Sequence, residues 1–338
     1  QSLGAGNATN FKNRIINGAM MIDQRNAGAS VTPTSGAYTL DRWAYFASQA
    51  SKFTVQQNAG SVTLPAGFVN YLGATVASAV SIGSGDNFYL EQKVEGLNVA
   101  DLSWGTASAK TVTLSFLVYS SLTGTFGGAI RNSAENRSYP FNYTISSPNT
   151  WTTVSVTIAG DTTGTWLTTN GVGLKVAFSL GMGSTYSAAA GAWAAGNYAS
   201  ATGATSVVGT NGATFYITGV QLEVGSSASS FEVRDYGREL IMCQRYYQVL
   251  GNSATNDIVV GAYATAGATI YGQVYYKVNM RAVPTGTLVG TWYTSNCGQP
   301  TIQGPGSSGC ALGIAATGTG ALVTASNTSA YLTMSAEL

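Results

Sequence analysis

Residues 214–247 read TFYITGVQLEVGSSASSFEVRDYGRELIMCQRYY, and this stretch decides how the chain is divided. Aromatic and β-branched residues dominate from Phe215 to Val224. Phe215, Ile217, Gly219, Gln221 and Glu223 fall on one face of an extended segment. Tyr216, Thr218, Val220, Leu222 and Val224 fall on the other, which is apolar apart from Thr218, so a half-buried strand is predicted. Gly225-Ser226-Ser227 ends it. Phe231, the next large apolar residue, is expected to plug one end of a core. Asp235 has the character of a helix N-cap, and Glu239 lies one position beyond a capping box. Leu240, Ile241, Cys243, Tyr246 and Tyr247 then recur near helical spacing. The stretch reads as the closing strand of one β domain, a short helix, and the entry to a second domain.

Upstream, Trp43, Tyr45 and Phe46 open a strand expected to continue to about Phe53–Val55, and 88–94, 111–119, 151–158 and 171–180 alternate as strands. Turn-rich joints and the lack of a long helical segment among them argue for a sandwich rather than a parallel α/β sheet. Downstream, strands are expected near 257–264, 268–278, 286–293 and 321–334. The organisation predicted is an all-β chain: an N-terminal arm over 1–10, a jelly-roll β-sandwich over 11–235, a helical connector over 236–250 and a second small β domain over 251–338. The arm reads either as disordered or as a tail docked on a neighbouring subunit.

Only 9% of the 338 residues are charged, against an ordinary ~25%. The net charge of +1 gives no field that favours nucleic acid or acidic membranes. With 45% hydrophobic residues and 19 Tyr, the 42 Gly read as turns of a folded β protein rather than as disorder. No apolar run approaches the ~20 residues of a membrane-spanning helix, so the chain is read as soluble, without membrane insertion. Charge is absent from Ala282 to Ala336, and such a surface predicts a homo-oligomer in which partner chains cover it.

The chain has no His, which removes Ser-His-Asp and Cys-His catalysis and imidazole metal sites. No phosphate-cradling glycine motif is present, and no metal site or cofactor is indicated. Glu91 and Glu95 stand roughly 13 Å apart along one strand, too far for a glycosidase pair. Of three Cys, Cys243 reads as a buried small apolar residue, while Cys297 and Cys310 flank a Gly/Pro-rich loop as a candidate disulfide whose pairing spacing alone leaves open.

Two places have a structural and a functional reading. Arg14, Asp23, Arg25, Asp41 and Arg42 concentrate charge near the N terminus. They either fix the crossing of the chain there or, at Asp41 beside Trp43, supply a sugar-binding carboxylate. Trp193 and Tyr198 lie in a run without charge from Val176 to Leu222. They either pin a long loop to the sandwich or form an aromatic platform for a sugar ring or a neighbouring subunit.

Gly219-Val220-Gln221-Leu222-Glu223-Val224-Gly225, then Phe231-Glu232, Glu239-Leu240 and Cys243-Gln244-Arg245-Tyr246-Tyr247, resemble a signature of bacteriophage virion proteins of the tail-fibre or minor-structural type. Asn17-Gly18-Ala19-Met20, Asp23-Gln24-Arg25, Tyr38-Thr39-Leu40-Asp41-Arg42-Trp43, Thr113-Leu114-Ser115-Phe116 and Phe215-Tyr216-Ile217 fit the same family in order, over roughly residues 11 to 247. The resemblance implies a jelly roll like those of carbohydrate-binding modules, a fold that often buries a structural calcium, although no Asp-x-Asp loop indicates one here. It also implies a place on the surface of the phage particle, a homotrimer, other virion proteins as partners and host-surface polysaccharide as a ligand. The expected function is that of a non-enzymatic fibre or adhesin. The alternatives are a capsid decoration protein, as head fibre or cement, and a glycan-degrading tailspike-like enzyme.

Overall fold

Among the described residues, fourteen strands precede the helix. They are β1 (Tyr38–Leu40), β2 (Trp43–Ala47), β3 (Phe53–Gln57), β4 (Leu72–Val76), β5 (Asn87–Glu95), β6 (Val112–Ser120), β7 (Gly124–Asn132), β8 (Arg137–Ile145), β9 (Thr152–Ile158), β10 (Val172–Met182), β11 (Ser187–Ala188), β12 (Ala194–Ala195), β13 (Ser200–Ala201) and β14 (Thr214–Val224). The structure, a computed structural model, describes residues 11–252, 254–319, 321–327 and 329–338, so the arm expected over 1–10 lies outside the described residues. Two compact units result, one running to Glu239 and including Leu338, the other comprising Leu240–Glu337.

The first unit is a jelly-roll sandwich. One sheet has the order β1-β2-β5-β10-β7-β8-β12 and the other β3-β4-β14-β6-β9. The chain passes back and forth between them, so each strand must present one apolar face to the other sheet. Trp43, Phe88, Phe141 and Phe178 enter from the first sheet and Phe53, Phe116, Phe215 and Leu222 from the second, all essentially buried. Each such side chain contributes on the order of 1.5–3 kcal/mol. The single strand expected from Trp43 to about Val55 is two strands in opposite sheets, β2 and β3, joined by a bend in which Ser51 takes a φ of 57°.

Strand β14 corrects the half-buried reading. Phe215 and Ile217 face the core, but so do Val220 and Leu222, although they sit on the other alternation phase. The phase switches because the register against β6 shifts between Thr218 and Gln221, where Gly219 adopts a φ of 61°. Tyr216 meanwhile packs with Tyr71 on the opposite side of the strand, and only Val224 is exposed.

Helix α1 (Tyr236–Gln244) begins where the cap was expected, with the Arg238 amide donating to Asp235 Oδ1 at 2.9 Å. It stops before Tyr246 and Tyr247, because β15 (Tyr247–Leu250) pairs with a later strand of the second unit. The remaining strands are β16 (Val259–Ala264), β17 (Thr269–Tyr275), β18 (Thr285–Val289), β19 (Tyr293–Ser295), β20 (Thr301–Gln303), β21 (Gly309–Ala315), β22 (Ala321–Ser326) and β23 (Tyr331–Ser335). They form three antiparallel three-stranded sheets, β15-β23-β18, β16-β22-β19 and β17-β21-β20. Trp292, Leu312, Ile314, Leu332 and Met334 build their shared core.

The candidate disulfide is not formed: Cys297 and Cys310 are both free. Cys310 lies in β21 opposite Val274, whereas Cys297 bridges to Ala316 just past the other end of that strand. Six residues of strand separate the two attachment points, roughly 20 Å at ~3.3 Å per residue. A disulfide tolerates Cα atoms no more than about 7 Å apart. Among the described residues no helix is long and apolar enough to cross a membrane.

Candidate functional site

The outer face of the seven-stranded sheet concentrates the chain's scarce charge. Alternation along β5, β10 and β7 turns Tyr89, Glu91, Lys93, Lys175 and Arg131 away from the core, and the register sets Lys93, Lys175 and Arg131 side by side across the three strands. Arg131 and Glu91 are almost wholly buried and form an ion pair. Lys175 Nζ reaches Glu135 Oε1 at 2.5 Å, and Asn197 joins both groups, accepting from Arg131 Nη1 at 2.5 Å and donating to Glu135 Oε2 at 2.8 Å. Burial alone pushes the Glu135 carboxyl up, but Arg131, Lys175 and Asn197 together hold it below the usual carboxylate range. Burial, with Lys175 and Arg42 nearby, pulls Lys93 below the ordinary lysine value against the opposing pull of Glu91.

Aromatic rings adjoin this charge. Phe46 and Tyr89 stack with centroids 5.0 Å apart, Arg131 lies 5.1 Å over Tyr89 and Lys93 Nζ 5.7 Å over Phe46. Burial pushes the Tyr89 phenol up to about 12, so it stays a neutral hydroxyl. Phe46 and Lys93 are only half-buried and form the accessible edge of the patch.

Residues 184–201 wall the patch on one side. Strand β12 pairs with the sheet edge at β8, Ala199 packs with Tyr89 and Ala177, and Ser200 is buried against Gly127. Trp193 anchors this flap. Its ring meets Trp104 and Trp166 edge-to-face with centroids 5.3 Å away in each case, and its Nε1 donates to the Ala159 carbonyl at 2.7 Å. Arg137 lies 5.9 Å over the same ring and pairs with Asp161. Burial raises the Asp161 carboxyl, yet the bonds from Arg137 hold it below its ordinary value. Trp193 therefore pins the loop, and Tyr198, half-buried, follows Asn197 on the flap.

Trp43 and Asp41 do not face solvent, which corrects their reading as sugar contacts. Trp43 is fully buried with Nε1 donating to the Asn17 carbonyl at 3.1 Å. Asp41 is equally buried and accepts from the Gln24 amide at 2.7 Å and from Gln24 Nε2 at 2.8 Å, while burial raises its carboxyl. Both belong to the crossing of the N-terminal segment.

The motifs that carry the family resemblance meet in a second buried cluster, built to hold the fold. Asn13 donates from Nδ2 to the Val220 carbonyl at 3.0 Å and accepts on Oδ1 from the amides of Ile15 and Leu222. The Asn13 amide donates to Glu232 at 2.6 Å, and the Glu232 amide to Gln221 Oε1 at 2.8 Å. Glu239 accepts from the Asn17 amide, which explains its place beyond the capping box. Gly18 lies so close to the Val220 carbonyl that a Cβ would collide with it. Among the described residues no three His, Cys, Asp or Glu side chains are grouped to hold a metal ion.

Sequence reasoning named the flap but missed Phe46, Tyr89, Glu91, Lys93, Arg131 and Lys175 as one patch. The alternation of β5 and β10 marks their outward direction, but the neighbour relations follow from a strand order that no local pattern contains.

No known protein family matches the chain, and no curated protein is recognisably related to it. Among solved structures it is similar to the enzymatically active domain of tailspike protein 4 of bacteriophage CBA120, at 12% identity and a TM-score of 0.33 over 63% of this chain; the match spans 21% of that chain. It is also similar to a putative sugar binding protein from Bacteroides thetaiotaomicron, at 13% identity and a TM-score of 0.35, over 63% of this chain and 100% of that one. A family 11 carbohydrate-binding module from Clostridium thermocellum is similar at 10% identity and a TM-score of 0.28, over 59% of this chain and 95% of that one. At scores this low the likenesses carry nothing about what the chain binds or does.

Proposed function

We propose that the chain is a non-enzymatic surface protein of a bacteriophage virion, of fibre or adhesin type, whose first unit contacts glycan on a host surface. The observation that carries the glycan reading is the outer sheet face, where the Phe46 ring, the Lys93 ammonium and the Asn197 amide share one pre-paired patch. A sugar presents an apolar C–H face and hydroxyls that need polar partners, and this combination answers both. The carboxylates of the patch suit binding rather than cleavage. Glu91 is held by Arg131, and Glu135 is kept ionised, whereas glycoside hydrolysis requires one carboxyl retained as an acid. The virion placement rests on the ordered sequence motifs.

The second reading is a capsid decoration protein, with the charge-free segment Ala282–Ala336 and the exposed tyrosines of the second unit covered by other virion subunits. Assembly as a homo-oligomer, a trimer by the family resemblance, belongs to both readings. The test is binding of the full chain to polysaccharide purified from candidate hosts, with released reducing ends measured alongside. The expected outcome is binding without release, weakened several-fold by Phe46→Ala, from the ~0.5–1.5 kcal/mol that an aromatic contact contributes. Glycan turnover would overturn the non-enzymatic reading, and binding to no host polysaccharide would overturn the adhesin reading in favour of decoration.

A further inference from the structure

On the glycan-binding reading of the sheet face, we infer that the sugar taken there carries a carboxylate, seated on Lys93 and Tyr38 beside the Phe46 ring. Lys93 Nζ and the Tyr38 hydroxyl converge on a single acceptor, the backbone oxygen of Leu338, at 2.6 and 3.0 Å. Leu338 belongs to this same unit. The geometry is thus already that of two donors around one oxygen, and a ligand carboxylate oxygen takes the place of the Leu338 oxygen.

The surrounding charge favours an anion there. Arg131 and Lys175 are matched by Glu91 and Glu135, whereas Lys93 has no Asp or Glu ion pair among the described residues. Three cations to two carboxylates leave one positive charge in excess, and it falls on the half-exposed edge. Arg25, which also acts on the Asp41 carboxylate, stacks 5.1 Å over the Tyr38 ring, and Arg42 Nη2 donates to the Lys93 carbonyl at 2.6 Å, so both help to fix the two donors in place. Both carboxylates of the patch, buried Glu91 and half-buried Glu135, are turned onto cations of their own, which reduces the repulsion an incoming anion would otherwise meet.

The full chain is titrated with polygalacturonate, alginate and hyaluronate, and with methyl-esterified pectin and dextran as neutral counterparts. The acidic polymers are expected to bind on the order of tenfold more tightly, from one charge-assisted hydrogen-bonded contact. Raising the salt concentration should shrink that preference. Lys93→Gln should abolish the preference while leaving the thermal midpoint within error, and Lys93→Arg should retain part of it. Tyr38→Phe, which removes one donor and no charge, should lower it by a smaller factor. Equal binding of acidic and neutral polymers, or a preference that survives Lys93→Gln, would overturn the carboxylate subsite and leave glycan binding standing. Binding of none of the five would overturn the subsite, and the host-polysaccharide assay then decides glycan binding separately.

Discussion

On the outer face of the seven-stranded sheet, Glu91, Lys93, Arg131, Glu135 and Lys175 meet within one patch, in a chain of which 9% is charged. The second unit does the opposite. From Ala282 to Ala336 it carries no charge, and it turns Tyr263, Tyr271, Tyr275 and Tyr293 outward at 58–78% exposure. Charge withdrawn from water must be matched by opposite charge in good geometry, so the first face depends on each member. Exposed tyrosines keep their hydroxyls in water and lose little when one is replaced. The contrast separates a patch that is fixed by pairing from a surface whose significance depends on what covers it.

The sharpest way to break the contrast is to orphan a buried charge. Glu91→Gln or Arg131→Met should destabilise the first unit by about 3–5 kcal/mol, because each leaves a buried charge without its closest counter-ion. Arg131→Met combined with Glu91→Leu should recover much of that loss. Urea unfolding followed by tryptophan fluorescence measures both, and a single variant with an unmoved midpoint would show that water reaches the pair.

Next in size is the flap anchor. Trp193→Ala removes a half-buried ring from three edge-to-face contacts, with Trp104, Trp166 and Tyr139, and the bond to the Ala159 carbonyl. A fully buried tryptophan costs ~3–5 kcal/mol on truncation, and partial exposure lowers the expectation here to about 2 kcal/mol. Limited proteolysis should then cut within residues 184–201, leaving the sandwich strands intact. Unchanged resistance in that segment would mean that Asn197 and the β12 pairing hold the flap unaided.

These two sites also show what was legible beforehand. Strands β5, β6, β9 and β10 were visible because each alternates cleanly across a two-sided environment, and the Asp235 cap was visible because its chemistry is local. Strand β14 misled because a bulge at Gly219 exchanges its faces, and two-residue periodicity has no way to signal an inserted residue. Trp193 drew notice as a tryptophan in an uncharged loop, but its neighbours Trp104 and Trp166 come from distant segments. Asp41 and Trp43 looked like a ligand pair for the same reason that they are buried: an acid beside an aromatic ring also serves to tie a chain crossing. Tyr263, Tyr271, Tyr275 and Tyr293 alternate in ways that local pattern reading assigns equally well to core.

Acid should act on the two units unequally. Glu135 and Asp161 have folded values below their ordinary 4.5 and 3.8. Each therefore contributes stability that is present above the ordinary value and lost as pH falls through the lowered one. Asp41 has the opposite sign. Its carboxyl is raised, so acidification favours the folded state there and offsets part of the loss. Thermal melts should accordingly fall below about pH 4.5 for the first unit. Glu135→Gln and Asp161→Asn should flatten that fall, and Asp41→Asn should steepen it. The charge-free segment 282–336 gives the second unit few groups to respond, so a parallel fall in both units would contradict the contrast.

The smallest effect concerns the tyrosines themselves. Tyr271 and Tyr275 share the outward side of β17, where Tyr271 opposes Gly313 and Tyr275 opposes Gly309 on β21. Replacing both by Ser removes exposed ring area without opening a cavity, so the stability of the isolated chain should change by no more than ~0.5 kcal/mol for each. If the chain assembles with itself through this face, the same variant should shift the sedimentation profile toward monomer, since aromatic side chains anchor interfaces well beyond what they add to a free surface. The two measurements carry different information. An unaltered melting curve with a shifted sedimentation profile assigns the face to self-assembly, whereas no change in either removes it from the interface and leaves the charge-free segment to be covered elsewhere. A large loss of stability in a chain that stays monomeric would contradict the exposed placement of the two rings and, with it, the comparison between a paired face and an open one.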